Sequence, residues 1–91
     1  MRPVPVPMFP DEIISIKEAA YRADTSERTV RRWCFKHGIG RQAETGAPIQ
    51  VSAVALEMRA CGDDDALEKL RLNKRDDPRV LFYLDRVGVK A

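Results

Sequence analysis

Apolar positions recur at helical spacing over most of this chain and give way to extended patterns in three places. From Ser26 to Gly38, Val30, Trp33, Cys34 and His37 fall at i, i+3, i+4 and i+7, which is one buried stripe of a helix. Ser26 is a favourable N-cap, and Gly38 stands where a helix needs a left-handed residue to stop. The opposite side carries Arg28, Arg31, Arg32 and Lys36 with a single acid, Glu27. Upstream, Ser15-Ile-Lys-Glu18 is a capping box that opens another helix, with Ile14 and Ile16 flanking the cap. Ala19, Ala20 and Ala23 are small enough to let a second helix approach closely, and the helix should end near Ala23. Asp24 and Thr25 then form a tight turn, with Asp24 in the left-handed region. A short helix, a tight turn and a capped second helix make the helix-turn-helix arrangement.

Beyond Gly38 the period changes. Ile39-Gly-Arg-Gln-Ala43 and Pro48-Ile-Gln-Val51 are two short extended runs about a turn at Glu44-Thr-Gly46, which predicts a β-hairpin, or wing, carrying Arg41 and Gln42. An unstructured loop is the alternative. Ser52 caps a third helix, from Ala53 to about Ala60, with Val54, Leu56 and Met58 for the core and Gly62 as its stop. Asp63-Asp-Asp65 caps a fourth, Ala66 to Leu72. Asp77-Pro78 is a cap followed by proline at the first helical position, opening a fifth helix that Gly88 closes. On that last helix Val80, Leu84 and Val87 suffice for packing. Phe82 and Tyr83 then look surplus and are candidates for contact with another chain, unless both close over a thin core. The first ten residues hold Pro3, Pro5, Pro7 and Pro10 among Val4, Val6 and Met8, so helix is excluded and an extended, mobile arm is expected.

The expected organisation is therefore a proline-rich arm over residues 1–12, a DNA-binding unit over 13–62 and a helical extension over 63–91. The fold class is mainly α with a small β-hairpin. Ninety-one residues give room for one modest core. No apolar run approaches the roughly 20 residues of a membrane span, and the first residues lack the apolar stretch of a secretory signal. Two distant cysteines, Cys34 and Cys61, with a single His, make neither a disulfide framework nor a zinc site, so a reducing, cytoplasmic compartment is the natural expectation. Neither a metal nor another cofactor is implied. The single His, the lack of paired carboxylates and the lack of a glycine-rich phosphate loop argue against an enzyme.

The net charge is only +2, but its distribution is uneven. Residues 1–25 balance to −1 and residues 57–91 to zero, whereas residues 26–56 carry five bases against two acids, for +3. The excess thus lies on the arginine-bearing helix and the segment after it, as a local phosphate-binding face requires. By helix-turn-helix geometry the second helix enters the major groove. Arg28 and Arg31 are then candidates for base contact, Arg32 and Lys36 for phosphate, and Arg41 and Gln42 for phosphate or minor groove.

The run ISIKEAAYRADTSERTVRRW, the short wing, and IQVSAVALEMR resemble the excisionase and MerR-like group of winged helix-turn-helix domains over roughly residues 14–60. Ser26 matches the cap of that group's recognition helix, Thr29 and Val30 its Thr-Val pair, and Arg32 and Trp33 its Arg-Trp pair; Asp24 replaces the glycine usual in the turn. Within the group, a chain of this size most resembles the excisionases, or recombination directionality factors, of prophages and integrative conjugative elements. The resemblance implies a non-catalytic protein that binds repeated sites on double-stranded DNA beside an attachment site, with Ser26, Glu27 and Thr29 joining the bases at the interface. It further implies bending of that DNA, promotion of excision by a tyrosine recombinase (integrase), and self-association along the DNA. Phe82 and Tyr83, with Val4 and Val6 of the arm, are the candidates for that contact. A small winged-helix transcriptional regulator, a phage terminase small subunit and an adaptor for an acidic protein are the alternatives.

Overall fold

Five side-chain caps divide the chain into helices. Ser15, Ser26 and Ser52 each accept the amide hydrogen of the third residue on, Glu18, Thr29 and Ala55, at 3.1 Å. Asp63 does the same for Ala66 at 3.1 Å, and Asp77 accepts from Arg79 at 2.9 Å ahead of Pro78. Each bond pairs an amide that the first helical turn leaves without a partner, a contribution of roughly 0.5–2 kcal/mol. The computed structural model describes residues 3–89, and the helices that follow these caps are α1 (Ile16–Ala23), α2 (Glu27–His37), α3 (Ala53–Ala60), α4 (Asp64–Arg71) and α5 (Pro78–Arg86). Asp24 ends α1 at φ 53°, ψ 48°, the left-handed conformation expected of it.

Three short strands complete the fold: β1 (Ile13–Ser15), β2 (Gly40–Arg41) and β3 (Gln50–Ser52). They pair antiparallel in the order β1-β3-β2, so Val51 sits between Ile14 on one side and Gly40 on the other. The chain is thus mostly helical with a small three-stranded antiparallel sheet. The two extended runs read from the sequence do come together, but of the first run only Ile39 to Arg41 meet β3, with the Ser52 amide donating to Ile39 O at 2.9 Å. Beyond them the connection is held by a turn, in which the Ala47 amide donates to Glu44 O at 3.0 Å and Gln42 Nε2 donates to Ala47 O at 2.7 Å. The third strand was not expected; β1 is the segment that the sequence presented only as the lead into α1.

The proline-rich segment is extended, as its composition requires, but it packs as part of the fold. Val6 and Met8 are buried in one apolar cluster with Val30 and Cys34 of α2, Leu67 and Leu70 of α4, and Val80 and Leu84 of α5. The division at residues 12 and 62 therefore does not separate independent cores. Two assignments made for contact between chains are corrected by this packing. Val6 is only 2% exposed, and its amide donates to Gly38 O at 2.9 Å. Tyr83 is 5% exposed, with its hydroxyl donating to Asp63 Oδ2 at 2.9 Å. A buried tyrosine needs such a partner for its hydroxyl, and the Asp63 cap of α4 supplies it. Burial, with the Asp63 carboxylate beside it, pushes the Tyr83 hydroxyl up to about 12. Val4 and Phe82 remain exposed, at 70% and 58%.

Glu12, in the 3-10 turn Pro10–Glu12, has no exposure at all. Its carboxylate is met in a fork by Arg75, from the loop between α4 and α5, with Nη1 to Oε2 at 2.5 Å and Nη2 to Oε1 at 2.8 Å. Arg75 also donates to Pro7 O at 3.1 Å, and its guanidinium lies 4.1 Å from the centroid of the Phe9 ring. A buried charge left without its partner is far more costly than the pair is stabilising. Glu12→Ala and Arg75→Ala should each lose about 3–5 kcal/mol, while the joint replacement Glu12→Leu with Arg75→Met should lose much less. Urea unfolding of the three variants checks this; single variants within about 0.5 kcal/mol of wild type would remove the pair from any structural role.

Candidate nucleic-acid interface

The stripe read from the sequence of α2 does face the core: Val30 and Cys34 are buried, while Trp33 and His37 are half-buried. Trp33 packs against the cluster without being enclosed by it, so it is less deeply placed than its pattern predicts. Burial, opposed by the nearby Arg31 charge, raises the Cys34 thiol to about 11, which makes it a small core residue rather than a nucleophile.

The other face of α2 carries Arg28, Arg31, Arg32 and Lys36, all exposed. Among the described residues, none of the four forms an ion pair. Of the other described bases, Arg22, Arg59, Lys69, Arg71, Arg75, Arg79 and Arg86 hold carboxylates within 4.0 Å, and none of these seven lies between Glu27 and Leu56; Lys17, Arg41 and Lys74 are scattered bases without such a partner among the described residues. Unneutralised charge is thus concentrated on α2, which the net balance by segment anticipated and the ion pairs sharpen. Glu27, also exposed, lies in the first turn, where a carboxylate suits the helix dipole. Ser26 and Thr29 serve the helix itself. Besides accepting the Thr29 amide, Ser26 Oγ donates to Thr29 Oγ1 at 3.0 Å.

Arg41 is exposed on β2, with Nε donating to Gln50 Oε1 across the strand pair at 2.9 Å. Gln42 is half-buried, and its amide braces the turn through Ala47 O. Between α2 and this turn runs a groove of about 430 Å³ lined by Ile16, Arg31, Phe35, Gln42, Gly46, Ala47, Pro48 and Ile49. A second hollow of about 240 Å³, which shares Phe35 and Gln42 with the first, is lined by Pro3, Pro5, Cys34, Phe35, Gly40, Arg41 and Gln42. The fold therefore brings Arg31 and Gln42 onto one groove, and Arg41 and Gln42 onto the other. Arg28, Arg32 and Lys36 line neither. Phe35 was overlooked in the sequence, although its spacing points to it: it falls four residues after Arg31 and three after Arg32, so it belongs to the basic face.

The C-terminal end of α2 is held from outside the helix. Gly38 adopts φ 68°, and a Cβ there would lie 2.7 Å from Val4 O and would collide with Arg71 Nη1. Arg71 of α4 donates through Nη2 to His37 O at 2.8 Å and through Nη1 to Val4 O. One guanidinium thus pairs a carbonyl that the helix leaves open and fixes the N-terminal segment across it. Among the described residues no cluster of His, Cys, Asp and Glu could hold a metal ion, and no helix is long and apolar enough to cross a membrane.

Comparison of the chain with protein-family models, with curated proteins and with solved structures yields no match.

His37 is held below its ordinary value of 6.5 by burial first, then by the positive charges of Arg59 and Lys36. Folding therefore disfavours its charged form, so its effect on stability is absent above that ordinary value and grows as a penalty when the pH falls through it. Between pH 8 and pH 5 the wild type should lose more stability than His37→Gln; equal losses in urea titrations would refute the coupling.

Proposed function

We propose that this chain binds double-stranded DNA as a winged helix-turn-helix protein, with α2 in the major groove and the β2–β3 turn against the flanking backbone. The observation that carries this reading is the row of four exposed bases on α2 without carboxylate partners, in a chain whose other arginines are mostly neutralised. Charge left unpaired on one helix attracts a polyanion and gains from the counterions that the DNA releases. Two features add support. The α1–α2 connection is short and ends in a capped helix whose first residues, Ser26, Glu27 and Arg28, are exposed. The groove beside Arg31 gives the edge of a base somewhere to enter.

For the biological role we propose an excisionase. Such a protein has no catalytic activity; it binds repeated sites beside an attachment site, bends the DNA and helps a tyrosine integrase to assemble the excision complex. This finer role is supported by the resemblance over residues 14–60. Self-association along the DNA, the remaining part of that role, draws on Val4 and Phe82, since Val6 and Tyr83 belong to the core.

Binding to duplex DNA should weaken steeply with salt. Four or five phosphate contacts correspond to a loss of about two to three orders of magnitude between ~50 and ~200 mM salt. Arg31→Ala should cost ~1–3 kcal/mol on the preferred site and relax the preference there, whereas Lys36→Ala should weaken all sequences alike and flatten the salt dependence by about one contact. Gel-shift titrations at both salt concentrations check these outcomes. Binding that is indifferent to salt and to both substitutions would overturn the reading.

A further inference from the structure

The groove between α2 and the β2–β3 turn is unlike the rest of the basic face. Its walls are Phe35, Ile16, Ile49 and Pro48, with Arg31 as its one charged side chain and Gln42 already donating to a turn carbonyl. A phosphate lodged here would exchange water for apolar walls and a single counter-charge, which is unfavourable. An apolar group gains in the same place. On the major-groove edge of unmodified DNA the apolar group is the 5-methyl of thymine, and aromatic side chains are among those that contact it. Arg31 and Phe35 are one helical turn apart, so they reach neighbouring positions along the groove of a duplex.

Resting on the reading of α2 as a major-groove helix, we propose that Phe35 and the apolar walls of this groove recognise the methyl group of a thymine next to the base met by Arg31. Phe35 is then a specificity-determining residue on a face otherwise made of arginine and lysine. Arg31 supplies attraction and a hydrogen-bonding fork, and Phe35 supplies discrimination that salt does not screen.

The test uses the full chain. A preferred duplex is selected from a random-sequence pool and resynthesised with uracil in place of each thymine in turn, a change that removes only the methyl. Loss of one buried methyl corresponds to about a fourfold weakening, expected at a single thymine position. Phe35→Ala should bind the thymine and uracil duplexes equally, while Phe35→Leu should keep most of the preference. Each ratio is measured within one protein preparation, so a partly folded variant does not distort it. Wild-type protein that binds thymine and uracil duplexes alike at every position overturns this inference and leaves DNA binding intact. A thymine preference that survives in Phe35→Ala overturns it too, because the methyl is then read elsewhere. Protein that enriches no duplex overturns both readings.

Discussion

A carboxylate wholly removed from water must be matched, and the match between Glu12 and Arg75 ties together the two ends of this chain. The forked geometry satisfies both oxygens, and the Phe9 amide adds a third, longer contact to Oε1 at 3.3 Å. With Glu12 fixed, the preceding residues are led back over the body, where Val6 and Met8 enter the core and the Val6 amide meets Gly38 O. With Arg75 fixed, the loop after α4 is held at the same place, and Arg71 reaches the end of α2. Both segments thus contact the C-terminal end of α2, and the Glu12–Arg75 pair joins them across 63 residues of sequence.

The distribution of charge follows a related division. In the last third of the chain nearly every base has an acid to hold, such as Arg86 with Glu57 at 2.6 Å and Arg79 with Asp63 at 3.4 Å. Exposed pairs of this kind contribute little to stability singly. Their larger effect is on the field of the molecule, because they leave α2 with the largest group of positive charges that meet solvent without a carboxylate partner among the described residues. Asp63 illustrates the economy of the arrangement. Burial works against its charge, but the Ala66 amide, the Tyr83 hydroxyl and Arg79 together hold its carboxyl below the ordinary carboxylate range.

What could be read from the sequence was whatever is decided within a few residues. Serine and aspartate caps, Asp24 in its left-handed turn, Pro78 at a first helical position and the Val30–Cys34 stripe all stand as their local chemistry dictates. The misreadings concern residues whose partners are distant. Ile13 and Ile14 become a strand only because β3 arrives beside them. Val6 read as an arm residue because the apolar cluster it joins gathers side chains from distant parts of the chain. Tyr83 read as surplus because Asp63, its hydroxyl's partner, lies twenty residues away. At the candidate site, the arginine face was legible by periodicity. The groove beside it was not, since the turn that forms its far wall is placed by Gln42 and Ala47 rather than by any repeating pattern.

The hold of Arg71 on the end of α2 also bears on modularity. The segment that looks like a transferable DNA-binding cassette, residues 14–60, does not contain the parts that finish it. The carbonyls of His37 and Gly38, at the end of its second helix, are paired by a side chain from α4 and by the backbone of Val6, and its buried apolar residues share one cluster with residues from both ends of the chain. Excised at those limits, the cassette would retain its arginines and lose the frame that aims them. The contacts that complete α2 thus extend beyond the segment of sequence resemblance, so under the proposed DNA-binding role a change of specificity is reached more simply by changing side chains on α2 in place than by exchanging the segment.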